Sequence, residues 1–261
     1  MVERRDILKT SLTLCGCAAS GALGIGGLGR DARADGPTSI SGMGYQLWFI
    51  GSQRETIMNG KLAAALDLNT LAGRAHLYGL GPLEQLRGEV TISDSRPALA
   101  RVAPDGTVSV IRSFAAGAPF FVWAEVPRWI ETPIPTEIRS FEDLERFVPR
   151  AANDAGLDAE KPLPFLVLGR QDLIEFHILN RIGDPPHNMD EHKKIQIRFE
   201  LAKTEATIVG FHSTRHRGIF TPGDSNIHVH FQTPDNDQSG HVQKLEIGDG
   251  AILHLPASST A

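Results

Sequence analysis

The segment Asn226-Ile227-His228-Val229-His230-Phe231, followed shortly by Ser239-Gly240-His241-Val242, limits what this chain can fold into more than any other stretch. Isoleucine, valine and phenylalanine around the first two histidines favour an extended strand. Residues i and i+2 of a strand project from one face. His228 and His230 therefore face one way, and Val229 and Phe231 the other. The intervening Thr233-Pro234-Asp235-Asn236-Asp237-Gln238-Ser239-Gly240 is dense in turn formers. A hairpin folded between Asp235 and Asn236 sets His230 opposite His241, and opposed residues share a face with Cβ atoms about 5 Å apart. Two strands then present three imidazoles to one point. Such a donor set suits a divalent ion with three protein ligands and an open position for substrate. The competing reading is a polar strand pair facing solvent.

The N-terminus reads as an address. Arg4-Arg5 is followed by Ile7-Leu8-Lys9, then a weakly apolar stretch rich in Gly and Ala from Thr10 to Gly29, then Ala32-Arg33-Ala34. A twin arginine, a modest apolar region and an A-x-A site together describe a twin-arginine export signal over 1–34. The expected destination is the periplasm, with mature protein beginning near Asp35. Leu14-Cys15-Gly16-Cys17 also resembles a lipoprotein box with lipid on Cys17, but the later A-x-A site is better formed, so no stable membrane anchor is expected. Both cysteines of the chain lie in this leader. The remainder has no thiol chemistry, and any metal there must be held by His, Asp or Glu. The leader takes five Lys/Arg and three Asp/Glu with it, leaving 21 basic and 28 acidic residues. An acidic body argues against nucleic acid as a partner.

Periodicity and turn signals predict a strand-rich α+β protein with few helices and no regular βαβ alternation. Strands are expected at Tyr45–Ile50, His76–Gly81, Gly88–Ser93, Pro119–Val126, Phe165–Leu168, Leu173–Leu179, Glu205–Phe211, Ile227–Gln232, His241–Ile247 and Ala251–Leu255. Ala98–Ala103 and Thr107–Arg112 form a hairpin across Pro104-Asp105-Gly106. Thr56–Leu68 is a short, weakly amphipathic segment. Ser140-Phe141-Glu142-Asp143 is a capping motif with an aspartate as the reach-back acid, opening a helix to about Ala155. His177, His187, His192, His212 and His216 have no partner at matching spacing and read as surface residues or outer neighbours of the site.

Several motifs together resemble the α-acetolactate decarboxylase family. Tyr78-Gly79-Leu80-Gly81-Pro82-Leu83-Glu84-Gln85-Leu86-Arg87-Gly88-Glu89 is similar to that family's Gly-Leu-Gly-Thr…Leu-Asp-Gly-Glu. Ala118-Pro119-Phe120-Phe121 resembles Thr-Pro-Phe-Ala, and Ala206-Thr207-Ile208-Val209-Gly210-Phe211 resembles Gly-Thr-Ile-Val-Gly-Phe. Thr221-Pro222-Gly223, His228-Val229-His230-Phe231 and Ser239-Gly240-His241-Val242 resemble Val-Pro-Gly, His-Leu-His-Phe and Gly-Gly-His-Val. The order holds from about Tyr45 to Glu246. The resemblance implies two β-sheet lobes, about 45–160 and 161–256, with a metal site between them, usually in a homodimer. It implies zinc on His228, His230 and His241, a functional carboxylate at Glu89, and a functional arginine at Arg181, with Arg198 as the fallback. The implied activity is decarboxylation of a small 2-hydroxy-3-keto acid such as 2-acetolactate to acetoin and CO2. Departures are Pro82 for a pocket threonine, Arg87 for an aspartate, two extra residues before His228, and no counterpart before Ala261 to the family's C-terminal glutamate. A cupin-type dioxygenase fits less well, because no glutamate follows His230 within a few residues. A carbonic-anhydrase-like site needs its third histidine much further along. The non-enzyme alternative is an exported metal- or ligand-binding protein of the same fold.

Overall fold

The computed structural model describes residues 36–257, so the export signal read at 1–34, with Cys15 and Cys17, lies outside the described residues. The N-terminal part builds a seven-stranded antiparallel sheet ordered β1-β2-β9-β4-β5-β6-β7. Its strands are β1 (Thr38–Gly42), β2 (Tyr45–Ile50), β4 (Leu77–Pro82), β5 (Glu89–Ser93), β6 (Arg96–Val102), β7 (Val108–Ile111) and β9 (Phe121–Glu125). Between them lie helix α1 (Gln53–Asn59) and the short pair β3 (Leu66–Asp67) and β8 (Gly117–Ala118). Strand β5 is buried along its whole length, because both of its faces are covered. Val90 and Ile92 join a leucine-rich cluster with Leu66, Leu68, Leu71 and Leu83. Glu89, Thr91 and Ser93 alternate with them and take the opposite face.

The second sheet holds β10 (Trp129–Pro133), β11 (Leu163–Leu179), β12 (Gln196–His212), β13 (Ile227–Gln232), β14 (Ser239–Ile247) and β15 (Ile252–Pro256), with helices α2 (Phe141–Asp154) and α3 (Met189–Lys194). Its order is β10-β15-β11-β12-β13-β14, and β11 also pairs with β14. Strands β11 to β14 therefore close into a ring. Closure depends on one long strand that changes partners: the first half of β11 pairs with β15, and its second half, from Gln171 to His177, pairs with β14. At the changeover Gly169 has φ +127, where a Cβ would lie 3.2 Å from the Cα of Ala251. The register shifts between Gln171 and Leu173, a bulge that bends the strand.

Helix α2 begins as expected. The Ser140 hydroxyl accepts from the Asp143 backbone N–H, and the Asp143 carboxylate accepts from the Ser140 backbone N–H. Leu144, Val148, Ala151 and Ala152 form its buried stripe. The hairpin across Pro104-Asp105-Gly106 pairs Val102 with Val108. Other expectations change with tertiary context. The two strands at Phe165–Leu168 and Leu173–Leu179 are one strand of 17 residues, and the strand at Glu205–Phe211 extends back to Gln196 along it. The lead-in before Tyr45 contains β1, the segment at Thr56–Leu68 is the end of α1 followed by loop and β3, and β10 and α3 went unread. Both sheets belong to one compact unit, and the chain passes from one to the other between Glu125 and Trp129. Among the described residues no helix is long and apolar enough to cross a membrane.

Burial of histidine ties this fold to pH. His212, at the end of β12, is 2% exposed and its Nδ1 has no hydrogen-bond partner. Burial pushes its pKa from 6.5 down to about 4, with Glu160 opposing the shift. The unfolded chain then binds more protons than the folded one between those two values, so the stabilisation is complete above pH 6.5 and is lost as pH falls toward 4. Denaturant melts across that window should show stability falling with acidification, and His212→Gln should flatten part of the slope. An unchanged slope would show that His212 is not among the groups responsible.

Candidate metal centre and its cavity

Strand β13 alternates as its pattern requires. Val229 and Phe231 enter the apolar core, Phe231 against Phe176 with ring centroids 4.7 Å apart. His228 and His230 take the other face, and His230 lies directly opposite His241 on β14. The turn joining them is closed by Thr233 N–H to the Gln238 carbonyl, 3.1 Å, with Asn236 at φ 60. Ring centroids are 5.0 Å apart for His228–His230, 4.7 Å for His228–His241 and 5.2 Å for His230–His241. One ligand nitrogen from each falls within 4.8 Å of the others.

The donor chemistry of this trio fits a cation. Burial depresses the pKa of His228 to about 4 and holds those of His230 and His241 well below the ordinary histidine value, so all three are neutral near pH 7. His228 Nδ1 lies 2.7 Å from the Phe220 carbonyl oxygen, which only accepts, so Nδ1 carries the proton. Nε2 is left with a lone pair, 3.0 Å from His241 Nδ1. His230 Nδ1 meets the Thr91 hydroxyl at 3.2 Å, while its Nε2 is buried without a hydrogen-bond partner. An orphaned buried acceptor costs about 1–3 kcal/mol, and a cation held by the three rings removes that cost.

Glu89 comes to the trio from the other sheet. It follows a tight turn in which Gln85 and Leu86 have φ 58 and 54, and Gly88 at φ +139 leaves no room for a Cβ, which would lie 2.4 Å from the Ala100 carbonyl oxygen. This forced turn starts β5 at Glu89, and the strand's alternation aims the carboxylate at the second sheet. Glu89 Oε2 is 3.8 Å from His230 Nε2, and Oε1 is 3.6 Å from His177 Nε2. The Leu179 backbone N–H donates to the same carboxylate, and burial holds its pKa well above the usual range. One step further along β5, Thr91 accepts from Ser239 Oγ at 2.9 Å. A cavity of about 820 Å³ opens beside the cluster, walled by Glu89, His177, His192, Arg198, His228 and His241. Ile57, Pro82, Leu86, Phe120 and Leu179 make its apolar side.

A family model for alpha-acetolactate decarboxylase matches residues 48–259. The chain belongs to the alpha-acetolactate decarboxylase family. Solved structures share the fold. A Staphylococcus aureus protein of unknown function similar to alpha-acetolactate decarboxylase superposes with a TM-score of 0.66 at 18% identity, over 82% of this chain and 86% of that one. The alpha-acetolactate decarboxylase of Bacillus subtilis strain 168 gives 0.63 at 18% identity, over 82% and 86%. That of Bacillus subtilis subspecies spizizenii gives 0.63 at 18% identity, over 82% and 90%. No curated protein matches the chain.

Arg181, the arginine the motif suggested, does not line the histidine cavity. Arg181 is buried, with its side chain 5% exposed, and its guanidinium is engaged elsewhere. It donates to Gln85 Oε1 at 3.4 Å, Asp184 Oδ1 at 3.2 Å and the Pro185 carbonyl at 2.8 Å, and it lines a different cavity beside Thr56 and Lys61. Arg87 pairs with the same Asp184 oxygen at 3.2 Å. The two arginines thus tie the turn before Glu89 to the loop after β11. The arginine lining the histidine cavity is Arg198, exposed at its mouth. His177 and His192, which spacing left as surface residues or outer neighbours of the site, are both buried in the cavity wall. His177 lies opposite His241 in the β11–β14 pairing, and only that long-range register could have revealed it.

Because each ring closes one side of the cluster, His230→Ala should lower the zinc that the protein retains after loading and dialysis to a small fraction of the wild-type amount, measured by elemental analysis. Full retention would mean that the ion sits elsewhere.

Proposed function

We propose that the protein is a zinc-dependent carboxy-lyase that decarboxylates a 2-hydroxy-3-keto acid such as 2-acetolactate, giving acetoin and CO2. The observation that carries the reading is the approach of Glu89, from one sheet, to within 3.8 Å of His230 Nε2 in a three-histidine cluster on the other. Family membership supports it.

Loss of CO2 leaves an electron pair on the carbon between the hydroxyl and the carbonyl, and that pair must be delocalised and then protonated. His228, His230 and His241 would hold a zinc ion, which would supply Lewis acidity to stabilise the developing enediolate. Three neutral imidazoles leave the cation its full charge. Arg198 at the cavity mouth holds the substrate carboxylate by a charge-assisted contact. Glu89 delivers a proton to the carbon that lost its carboxylate and recovers one from water, so that the product keeps its hydroxyl and the net proton comes from solvent. Its burial favours the protonated form that this delivery needs. The apolar wall of Ile57, Leu86, Phe120 and Leu179 excludes bulk water from the departing CO2.

The zinc-loaded protein should release acetoin and CO2 from 2-acetolactate. Glu89→Gln keeps the shape of the side chain, and it should lower turnover by roughly 10²–10⁴-fold with zinc content intact. In the same assay Arg198→Ala should raise KM far more than it changes kcat. A protein that binds zinc tightly yet leaves 2-acetolactate untouched would instead be a metal- or ligand-binding member of the family.

A further inference from the structure

We infer that His177 is a positioning residue of this site, holding the Glu89 carboxylate in place against the three-histidine cluster. Only the kinetic arm of its test rests on the decarboxylase reading above. His177 is 3% exposed and sits where three strands meet. It lies opposite Arg198 on β12 and opposite His241 on β14. With His230 opposite His241, one continuous row runs Arg198, His177, His241, His230 across β12, β11, β14 and β13. Opposed residues share a face, so the row presents a guanidinium and three imidazoles to the same side as Glu89.

Within that row His177 is fixed from two directions. Its ring stacks on His241 with centroids 4.6 Å apart and planes at 29°. Its Nε2 faces Glu89 Oε1 at 3.6 Å. Two residues further along β11, the Leu179 N–H donates to the same carboxylate. Strand β11 therefore grips Glu89 at alternate positions, leaving the other oxygen, Oε2, toward His230. The other ring nitrogen, Nδ1, is buried without a hydrogen-bond partner, so Nε2 is the nitrogen that meets the carboxylate. Among the described residues, the nitrogens that converge within 4.8 Å are those of the other three histidines. His177 stands behind them, against the carboxylate. Groups that orient a metal site in this way typically change affinity or activity by about 10–100-fold when removed.

Two variants separate an orienting role from packing. His177→Phe keeps a flat ring to stack on His241 but has no N–H. His177→Gln restores an N–H near the position of Nε2. Zinc-loaded wild type and both variants would be compared by ¹³C NMR of glutamate-labelled protein, with the Glu89 signal assigned by its loss in Glu89→Gln, and by kcat and KM on 2-acetolactate. The expected result is a displaced Glu89 carboxyl signal in His177→Phe, partial return in His177→Gln, kcat lowered about 10–100-fold in the former, KM little changed, and zinc at one equivalent throughout. An unmoved Glu89 signal with full kcat in His177→Phe overturns the inference. So does loss of zinc from both variants, which would make His177 a ligand. If wild type is inactive on 2-acetolactate while the Glu89 signal still moves in His177→Phe, the decarboxylase reading fails and the positioning role stands.

Discussion

Three imidazoles and a carboxylate are buried between two sheets with a fourth imidazole, His241, half-buried beside them, and the rest of the structure is arranged around the cost of putting them there. His228, His230, His177 and Glu89 are each no more than 3% exposed. Buried polar groups without partners are destabilising, and here two of the contacts cross between the sheets while the third comes from the loop before β13. Thr91 meets His230, Ser239 donates to Thr91, and the Phe220 carbonyl receives the proton of His228. The sheets are thereby pinned in one relation by polar contacts at the point where chemistry is placed. Two buried ring nitrogens of this group, His230 Nε2 and His177 Nδ1, have no hydrogen-bond partner. The first is what a bound cation would resolve.

The ring closed by β11 to β14 is what concentrates these groups. A flat sheet would place His177, His241 and His230 in a line with increasing separation from Glu89. Curling the sheet until β14 pairs with both β13 and β11 brings the row onto one carboxylate. The bend at Gly169 and the bulge at Gln171 permit it. Helix α3 and its loop, inserted between β11 and β12, then supply His192 and Lys193 to the cavity wall.

The turn before Glu89 shows how departures from the family motif find a structural role. Gln85 and Leu86 adopt positive φ, a conformation costly for residues with side chains. That turn is held by Leu86 O accepting from Arg181 N at 3.0 Å and by Asp184 bridging Arg87 and Arg181. Arg87 thus answers to an acid in a loop on the other sheet. Arg181 serves the same clamp, which leaves Arg198 as the guanidinium that faces the cavity.

The sequence by itself determined the hairpin of histidines down to its register, because a period of two and a strong turn leave one alignment that keeps Phe231 inside and His230 opposite His241. It determined the capping of α2 and the strand-rich class for the same reason: these are local signals with few solutions. The motif around Glu89 was legible only by resemblance, since nothing local says which sheet a strand-end carboxylate will face. Tertiary structure alone decided the remainder. His177 became part of the site because β11 pairs with a strand more than sixty residues away, and no spacing within its own segment encodes that. Arg181 was taken from the cavity by Asp184, Gln85 and Pro185, partners that lie beside it only after the loop folds. Long strands were read as short ones because their polar halves, such as Gln196–Thr204, gain strand character from cross-strand pairing with β11 and not from their own propensity.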